Sequence, residues 1–197
     1  EKRRHEIHRR RIDDPLSYGE YLQVDKLLSC QSMKSTEVGQ PAHDEHLFII
    51  IHQVYELWFK QILHEVSSIQ AIFSADYVPE KEIGTAVARL NRVTEIQRVL
   101  LAQMTVLETM SPLGFLDFRD MLFPASGFQS VQFRLFENAL GLPKDQRVTY
   151  GLRNYCSYLN KKDAAVVESS EGKASLLDLV ERWLERTPFL NIGDFKF

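Results

Sequence analysis

Apolar residues recur at helical spacing along almost the whole chain. Between residues 44 and 73 they cover more than one face, which predicts a helix in the middle of a bundle. Between 79 and 110 one face is apolar and the opposite face carries charged residues. The apolar positions of this second stretch are Leu90, Val93, Ile96, Leu100, Met104 and Leu107. No stretch has the alternation of a strand, so the predicted fold class is all-α, a helical bundle.

Capping signals predict where the shorter helices begin. Residues 17–20, Ser-Tyr-Gly-Glu, fit a capping box that opens a helix through Leu28. Ser111 before Pro112 fits an N-cap followed by a proline at the first helical position, and that helix is predicted to stop at Pro124.

The last third of the chain is less regular in pattern. A second capping box at 126–129 predicts a helix that ends at Gly141. Residues 142–173 are polar and irregular, and we expect them to be mostly loop. An amphipathic helix over 174–186 is predicted to close at Thr187.

Composition narrows the class of protein. With 197 residues the chain is long enough for one good core. A net charge of -3 gives no reason to expect nucleic acid or an anionic membrane as a partner. Two cysteines without metal-type spacing are typical of a reducing, cytoplasmic protein, and no apolar run is long enough for a membrane span. We divide the chain into a basic N-terminal tail, 1–16, and one domain, 17–197.

His52 is the first candidate for chemistry. Phe48, His52, Tyr55 and Phe59 fall on a single stripe of the predicted helix, whereas His43 and His46 point elsewhere and cannot join it in a metal cluster. Spacing alone favours a core histidine with a satisfied hydrogen bond. The alternative is a haem or indole site, which needs an aromatic cavity with one polar group.

The second candidate region spans residues 114–130. Phe115 and Arg119 lie one turn apart amid apolar residues, so the guanidinium needs a carboxylate, either on the protein or on a ligand. Ser126 is best interpreted as an N-cap. Tyr18 and Tyr21 share one face of the first helix. They either pack on the bundle or reach another subunit, and spacing does not choose between these.

Four segments together resemble one known family. They are YGEYLQVDKLL, HDEHLFIIIHQVYELWFKQILHE, LETMSPLGFLDFRDMLFPASGFQSVQFRL and LLDLVERWLERTP, in that order from Tyr18 onward. They are similar to the tryptophan 2,3-dioxygenases, and the last segment resembles the animal-type members. The resemblance implies an all-helical homotetramer with haem b. Its iron would serve the addition of O2 across the C2–C3 bond of the indole of L-tryptophan, giving N-formylkynurenine.

The resemblance also implies roles for single residues. His52 matches the family's distal histidine near the indole N–H. Phe48 and Phe115 match the walls of the indole pocket, and Arg119 matches the arginine that pairs with the substrate carboxylate. Ser126 matches a serine at the haem edge. Tyr18 and Tyr21 match tyrosines of a segment that completes the pocket of a neighbouring subunit.

One departure from the family pattern concerns the iron ligand. The family's proximal histidine is expected beyond Phe197, so the chain is expected to hold only the distal half of the site and to be inactive alone. Two alternatives stay open. One is a non-catalytic helical module that binds a partner or an aromatic metabolite without haem. The other, which the motifs disfavour, is an indoleamine dioxygenase.

Overall fold

The computed structural model describes residues 15–147 and 159–187. These ranges contain α-helices joined by short 3-10 segments and turns, and no strand occurs within them, in agreement with the all-α prediction. The α-helices are α1 (Tyr18–Leu22), α2 (Val24–Leu28), α3 (Lys34–Glu37), α4 (His43–Phe73), α5 (Glu80–Leu107), α6 (Pro112–Arg119), α7 (Val131–Leu140), α8 (Lys161–Glu171) and α9 (Leu176–Arg186).

Helix α4 is the centre of the bundle, as the pattern predicts. It packs against α5, α6, α7 and α9, and its apolar positions are therefore buried on more than one side. The core lies along its second half, where residues from four helices meet. The buried core residues are Phe59, Ile62, Val66, Ile69, Phe73, Val78, Ala86, Val93, Ile96, Leu100, Phe136, Leu176 and Leu179.

The apolar face of α5 is buried only over part of its length. Val93, Ile96 and Leu100 lie in the core, as predicted, whereas Met104 is 42% exposed. Tyr55 marks the end of the buried part, because its hydroxyl donates to the carbonyl of Leu100 at 2.7 Å and ties α4 to α5. Burial raises the pKa of the Tyr55 hydroxyl, so it keeps its proton for this bond.

Three predicted boundaries differ from the structure. The helix predicted through Leu28 is broken at Gln23, which adopts a left-handed conformation with φ 53° and separates α1 from α2. The helix predicted to stop at Pro124 is α-helical only to Arg119 and continues as a 3-10 turn to Leu122. The capping box at 126–129 closes a 3-10 turn, and Ser130 begins α7 as a separate N-cap.

The loop predicted over 142–173 is wrong for its second half, which forms α8. Asn160 caps α8, and Val167 is its one fully buried side chain. A single apolar anchor among polar residues gives little periodicity, which explains why the pattern does not reveal this helix. Asn138 of α7 holds α8 by donating to the carbonyl of Val167 and the hydroxyl of Ser170. Residues 148–158 lie outside the described ranges, as does the basic tail up to residue 14.

A buried carboxylate fastens the segment before α4. Glu45 is 1% exposed, and its two oxygens accept from the backbone amides of Lys34 at 2.7 Å and Ser35 at 2.9 Å. These amides open the first turn of α3, where backbone donors have no partner within the helix. The hydroxyl of Ser35 accepts from the amide of Ala42, which closes the loop. Residues 34–42 are thereby fixed to the start of α4.

Of the helices in the described ranges, none alone combines the length and apolar character needed to cross a membrane. One pair, α5 with the segment Pro112–Leu122, reaches that length and composition together but is bent by 92°.

Candidate active site

The ring of His52 lies half-buried on α4, and its hydrogen bond defines its tautomer. Its Nδ1 lies 2.7 Å from the carbonyl oxygen of Phe48, one turn earlier. A carbonyl oxygen only accepts, so Nδ1 must carry the proton. In the neutral ring Nε2 is then a bare acceptor, available to a donor outside the helix.

Four rings cluster where α4 meets α6. The ring of Phe48 stacks on His52 with centroids 4.1 Å apart and contacts Phe115 at 5.7 Å and Phe118 at 5.4 Å. Phe115 and Phe118 meet edge to face at 5.4 Å. Phe118 is fully buried, whereas the other three rings are half-buried. The cluster is therefore a packed wall that presents Phe48, His52 and Phe115 toward solvent.

The aromatic stripe of α4 is divided between two environments. Tyr55 and Phe59 turn into the core, where Phe59 packs on Phe133 of α7, while Phe48 and His52 face α6. His43 and His46 line a separate cleft of about 770 Å³, in agreement with their predicted direction. In the described ranges no group of three or more His, Cys, Asp or Glu side chains is placed to hold a metal ion.

Arg119 is the last residue of α6. Its side chain is exposed, and its guanidinium lies over the ring of Phe115. Its Cζ lies 5.6 Å from the centroid of Phe115. Within the part of the chain that the structure describes, no carboxylate pairs with it, and the neighbouring Asp117 and Asp120 do not do so. The side chain is thus exposed rather than surrounded by apolar residues, and the described residues provide no internal ion pair for it. Stacking orients the planar fork and leaves its donors open to an external anion.

The position of α6 follows from its first turn. Ser111 caps it by accepting from the amide of Gly114 at 3.0 Å, and Pro112 occupies the first helical position, as predicted. Gly114 lies against the first turn of α4, where a Cβ on it would overlap the carboxylate of Asp44. This close approach brings Phe115 into contact with Phe48.

Ser126 closes an exposed turn between α6 and α7. Its hydroxyl accepts from the amide of Phe128, and its own amide donates to the side chain of Gln129 at 3.1 Å, which is the predicted capping box. Four residues later Ser130 caps α7. None of the contacts described for Ser126 joins it to the ring cluster.

Tyr18 and Tyr21 do not pack on the bundle. They are 77% and 72% exposed, and neither α1 nor α2 buries any residue. The segment is attached at its end, where Gln53 of α4 exchanges hydrogen bonds with the side chain of Gln31 and the carbonyl of Cys30. Of the two alternatives for these tyrosines, their exposure disfavours packing on their own bundle.

Four predicted residues thus form one continuous set of contacts: His52, Phe48, Phe115 and Arg119. The sequence interpretation missed Phe118, although it follows Phe115 by three residues and so shares its helix face. The arrangement offers an apolar aromatic face, one hydrogen-bond acceptor and one cation, which suits an aromatic amino acid or a similar zwitterion.

Comparison with known proteins identifies the family of this chain. A family model described as Tryptophan 2,3-dioxygenase matches residues 3–197. The chain belongs to the tryptophan 2,3-dioxygenase family. That match covers every residue of the ring cluster, the Ser126 turn and the exposed tyrosines.

Individual tryptophan 2,3-dioxygenases are similar along most of this chain. The chain is 52% identical to the one from Dictyostelium discoideum over 180 residues, which are 91% of this chain and 45% of that protein. It is 50% identical to that from Aedes aegypti over 182 residues, 91% of this chain and 46% of the relative. It is 51% identical to that from Bdellovibrio bacteriovorus over 183 residues, which are 93% of this chain and 51% of that relative. The chain thus spans about half the length of the curated relatives it matches.

Proposed function

We propose that the protein acts as a haem-dependent tryptophan 2,3-dioxygenase, for which this chain supplies the side of the site that binds the indole. The reaction joins L-tryptophan and O2 to give N-formylkynurenine: the C2–C3 double bond of the indole is cleaved and each carbon gains one oxygen atom. Both atoms of O2 enter the product, so no external reductant is required. The observation that carries the proposal is the placement of His52, whose Nδ1 is bonded to the carbonyl of Phe48, on an aromatic wall beside an arginine that pairs with no carboxylate among the described residues.

The donor set of the site fits the distal face of a haem. Phe48 and Phe115 offer an apolar aromatic surface, and Ser126 offers an exposed hydroxyl for the polar edge of the group. Bound haem would supply the chemistry by which O2 reacts with the indole ring. We propose that the histidine that would bind its iron belongs to the half of the family's polypeptide that this chain does not span.

Each residue of the cluster then has a binding or orienting task. The walls of Phe48 and Phe115 bury the indole ring and exclude water from it. Nε2 of His52 accepts a hydrogen bond from the indole N–H, which fixes the rotation of the ring in its slot. The fork of Arg119 binds the carboxylate at the other end of the substrate. With both ends of the substrate bound and its ring against a flat aromatic wall, the substrate has one orientation. Holding reactants in one orientation is a large part of enzymatic rate enhancement.

The proposed function is tested through the hydrogen bond between His52 and the indole nitrogen. In the full-length protein reconstituted with haem, His52→Ala is expected to lower kcat/KM for L-tryptophan about tenfold, the value of one hydrogen bond, with the haem spectrum retained. Wild-type protein is expected to discriminate against 1-methyltryptophan, whose nitrogen has no proton. In His52→Ala that discrimination should disappear.

The matched control is His46→Ala, an exposed histidine of the same helix on another face. It should keep the wild-type preference for L-tryptophan. Wild-type protein that binds haem but forms no N-formylkynurenine would refute the proposed activity. Loss of haem from His52→Ala would instead make His52 a haem ligand or support.

We further propose that the enzyme is a homotetramer in which the α1–α2 segment reaches a neighbouring subunit. The support is the exposure of Tyr18 and Tyr21 on a segment that buries nothing on its own bundle. Large aromatic rings are enriched at protein interfaces, where they supply much of the binding energy. A tyrosine pair whose side chains are mostly exposed is therefore suited to a partner surface.

Replacing both tyrosines by alanine should weaken assembly and activity together. Sedimentation velocity is expected to show smaller species at micromolar concentration, and KM for L-tryptophan should rise, because the neighbour's pocket is left open. Tyr77→Ala is the control, since Tyr77 is also 77% exposed but lies between α4 and α5. A double variant that assembles and turns over like Tyr77→Ala would contradict the crossing.

A further inference from the structure

Glu56 joins the helix that carries His52 to the turn that carries Ser126. It lies on α4 four residues after His52, about 6 Å further along the axis and on nearly the same face. Its side chain is half-buried and points to the start of α7 rather than to solvent. Neither the ring cluster nor the bundle core contains it.

The carboxylate of Glu56 makes a two-pronged contact with the start of α7. One oxygen accepts from the hydroxyl of Ser130 at 2.6 Å, and the other accepts from the side-chain amide of Gln132 at 2.8 Å. The same amide group donates to the backbone carbonyl of Glu56 at 2.8 Å. Hydrogen bonds to a charged acceptor are about twice as strong as neutral ones, so this is the strongest polar link between the two elements.

Ser130 transmits this link to the Ser126 turn. Its hydroxyl donates to Glu56 and accepts from the amide of Phe133, and its amide donates to the carbonyl of Gly127. Only the three residues of the 3-10 turn separate it from Ser126. Fixing Ser130 therefore fixes the exposed hydroxyl of Ser126 relative to α4.

We propose that Glu56 is a positioning residue, which holds the Ser126 turn in register with His52 and so sets the fit of the haem edge. The inference rests on the proposed function, because it assigns the Ser126 side of the site to the cofactor. Arg119 and Phe115 are held separately, by α6 and its contacts with Phe48. Glu56 should consequently affect cofactor retention far more than substrate binding.

The first experiment uses the chain as it is. Glu56→Gln keeps the volume of the side chain but removes its charge and turns one acceptor oxygen into a donor, so the side chains of Ser130 and Gln132 can no longer each donate to a carboxylate oxygen. Hydrogen exchange at the amides of Phe128 and Phe133 is expected to quicken by about tenfold, as for loss of one charged hydrogen bond. Glu95→Gln is the control, since it removes an exposed carboxylate from α5. Equal exchange in the two variants would overturn the proposal.

The second experiment tests the cofactor side in the full-length protein reconstituted with haem. Haem loss to excess apomyoglobin should be roughly tenfold faster in Glu56→Gln than in wild type or Glu95→Gln, with KM for L-tryptophan changed less than about threefold. If Glu56 acts through the turn, Glu56→Gln combined with Ser126→Ala should lose haem no faster than Ser126→Ala alone. Additive effects would mean a general structural role and would overturn the proposal.

The two proposals fail in different ways. Wild-type protein that retains no haem would overturn the proposed function, and the assignment of Glu56 to the cofactor with it. Wild-type protein that retains haem, beside a Glu56→Gln variant with an unchanged haem-loss rate, would overturn the positioning role alone.

Discussion

Arg119→Ala is expected to raise KM for L-tryptophan by roughly 30-fold to 150-fold in the full-length enzyme, with a smaller change in kcat. The guanidinium has no carboxylate partner among the described residues, so the substrate carboxylate does not have to displace one of them. Loss of a charge-assisted, two-pronged pair corresponds to about 2–3 kcal/mol, which gives this factor. Steady-state kinetics over a wide range of tryptophan concentration measures it.

Two further variants serve as comparisons, one for the planar donors of the guanidinium and one for the loss of an arginine elsewhere. Arg119→Lys keeps the positive charge but loses the planar pair of donors, and should recover only part of the affinity. Arg98→Ala removes an exposed arginine of α5 that is paired with Glu95, and should leave KM unchanged. Tryptamine, which lacks the carboxylate, should bind equally to wild type and Arg119→Ala. If Arg119→Ala has the wild-type KM, Arg119 does not bind the substrate.

Glu45→Ala is expected to lower the free energy of unfolding by about 2–4 kcal/mol, because two backbone amides lose a buried charged acceptor. The measurement is the urea midpoint of this chain at neutral pH. Glu37→Ala is the control, since Glu37 is exposed and, among the described residues, pairs only with Lys34. Equal midpoints for the two variants would show that the segment before α4 is not held by Glu45.

The same carboxylate makes part of the stability depend on pH. Burial alone would raise the pKa of Glu45, but hydrogen bonds from Ser35 and the amide of Lys34 outweigh it and hold the pKa below its ordinary 4.5. A lowered pKa in the folded state stabilises the fold above the unfolded value and is lost as pH falls through the folded one. Between pH 7 and pH 3 the difference between wild type and Glu45→Gln should therefore shrink, and most of that loss should occur below about pH 4.5. If the difference in stability between wild type and Glu45→Gln is the same at every pH, titration of Glu45 does not contribute to the pH dependence of stability.

The helices that carry the site could be predicted because their patterns are local. Helices α4, α5 and α9 are long or strongly amphipathic, and Pro79 marks the start of α5 while Thr187 marks the end of α9. Phe48 and His52 can be placed on one face by counting residues. What counting could not decide was whether that face is core or site, since this depends on α6, more than sixty residues later.

The remaining features depend on contacts between distant parts of the chain. Glu56 looks like any exposed glutamate of a helix, and its partners Ser130 and Gln132 follow more than seventy residues later. The exposure of Arg119 likewise depends on where α6 ends. Helix α8 is stabilised by Asn138 and by one buried valine rather than by its own amphipathic pattern. In each case tertiary structure, not local propensity, decides the outcome.

Gly114 and Asp44 limit how sequences with this site can diverge. Any side chain at 114 would meet the carboxylate of residue 44, so a first substitution at 114 carries a penalty unless Asp44 rotates away or has already been replaced by a smaller residue. The order of mutations then matters: a change at 44 first removes the obstacle, whereas the reverse order carries the penalty. Related proteins that have lost this glycine should have altered residue 44 as well, so that the two positions vary as a pair.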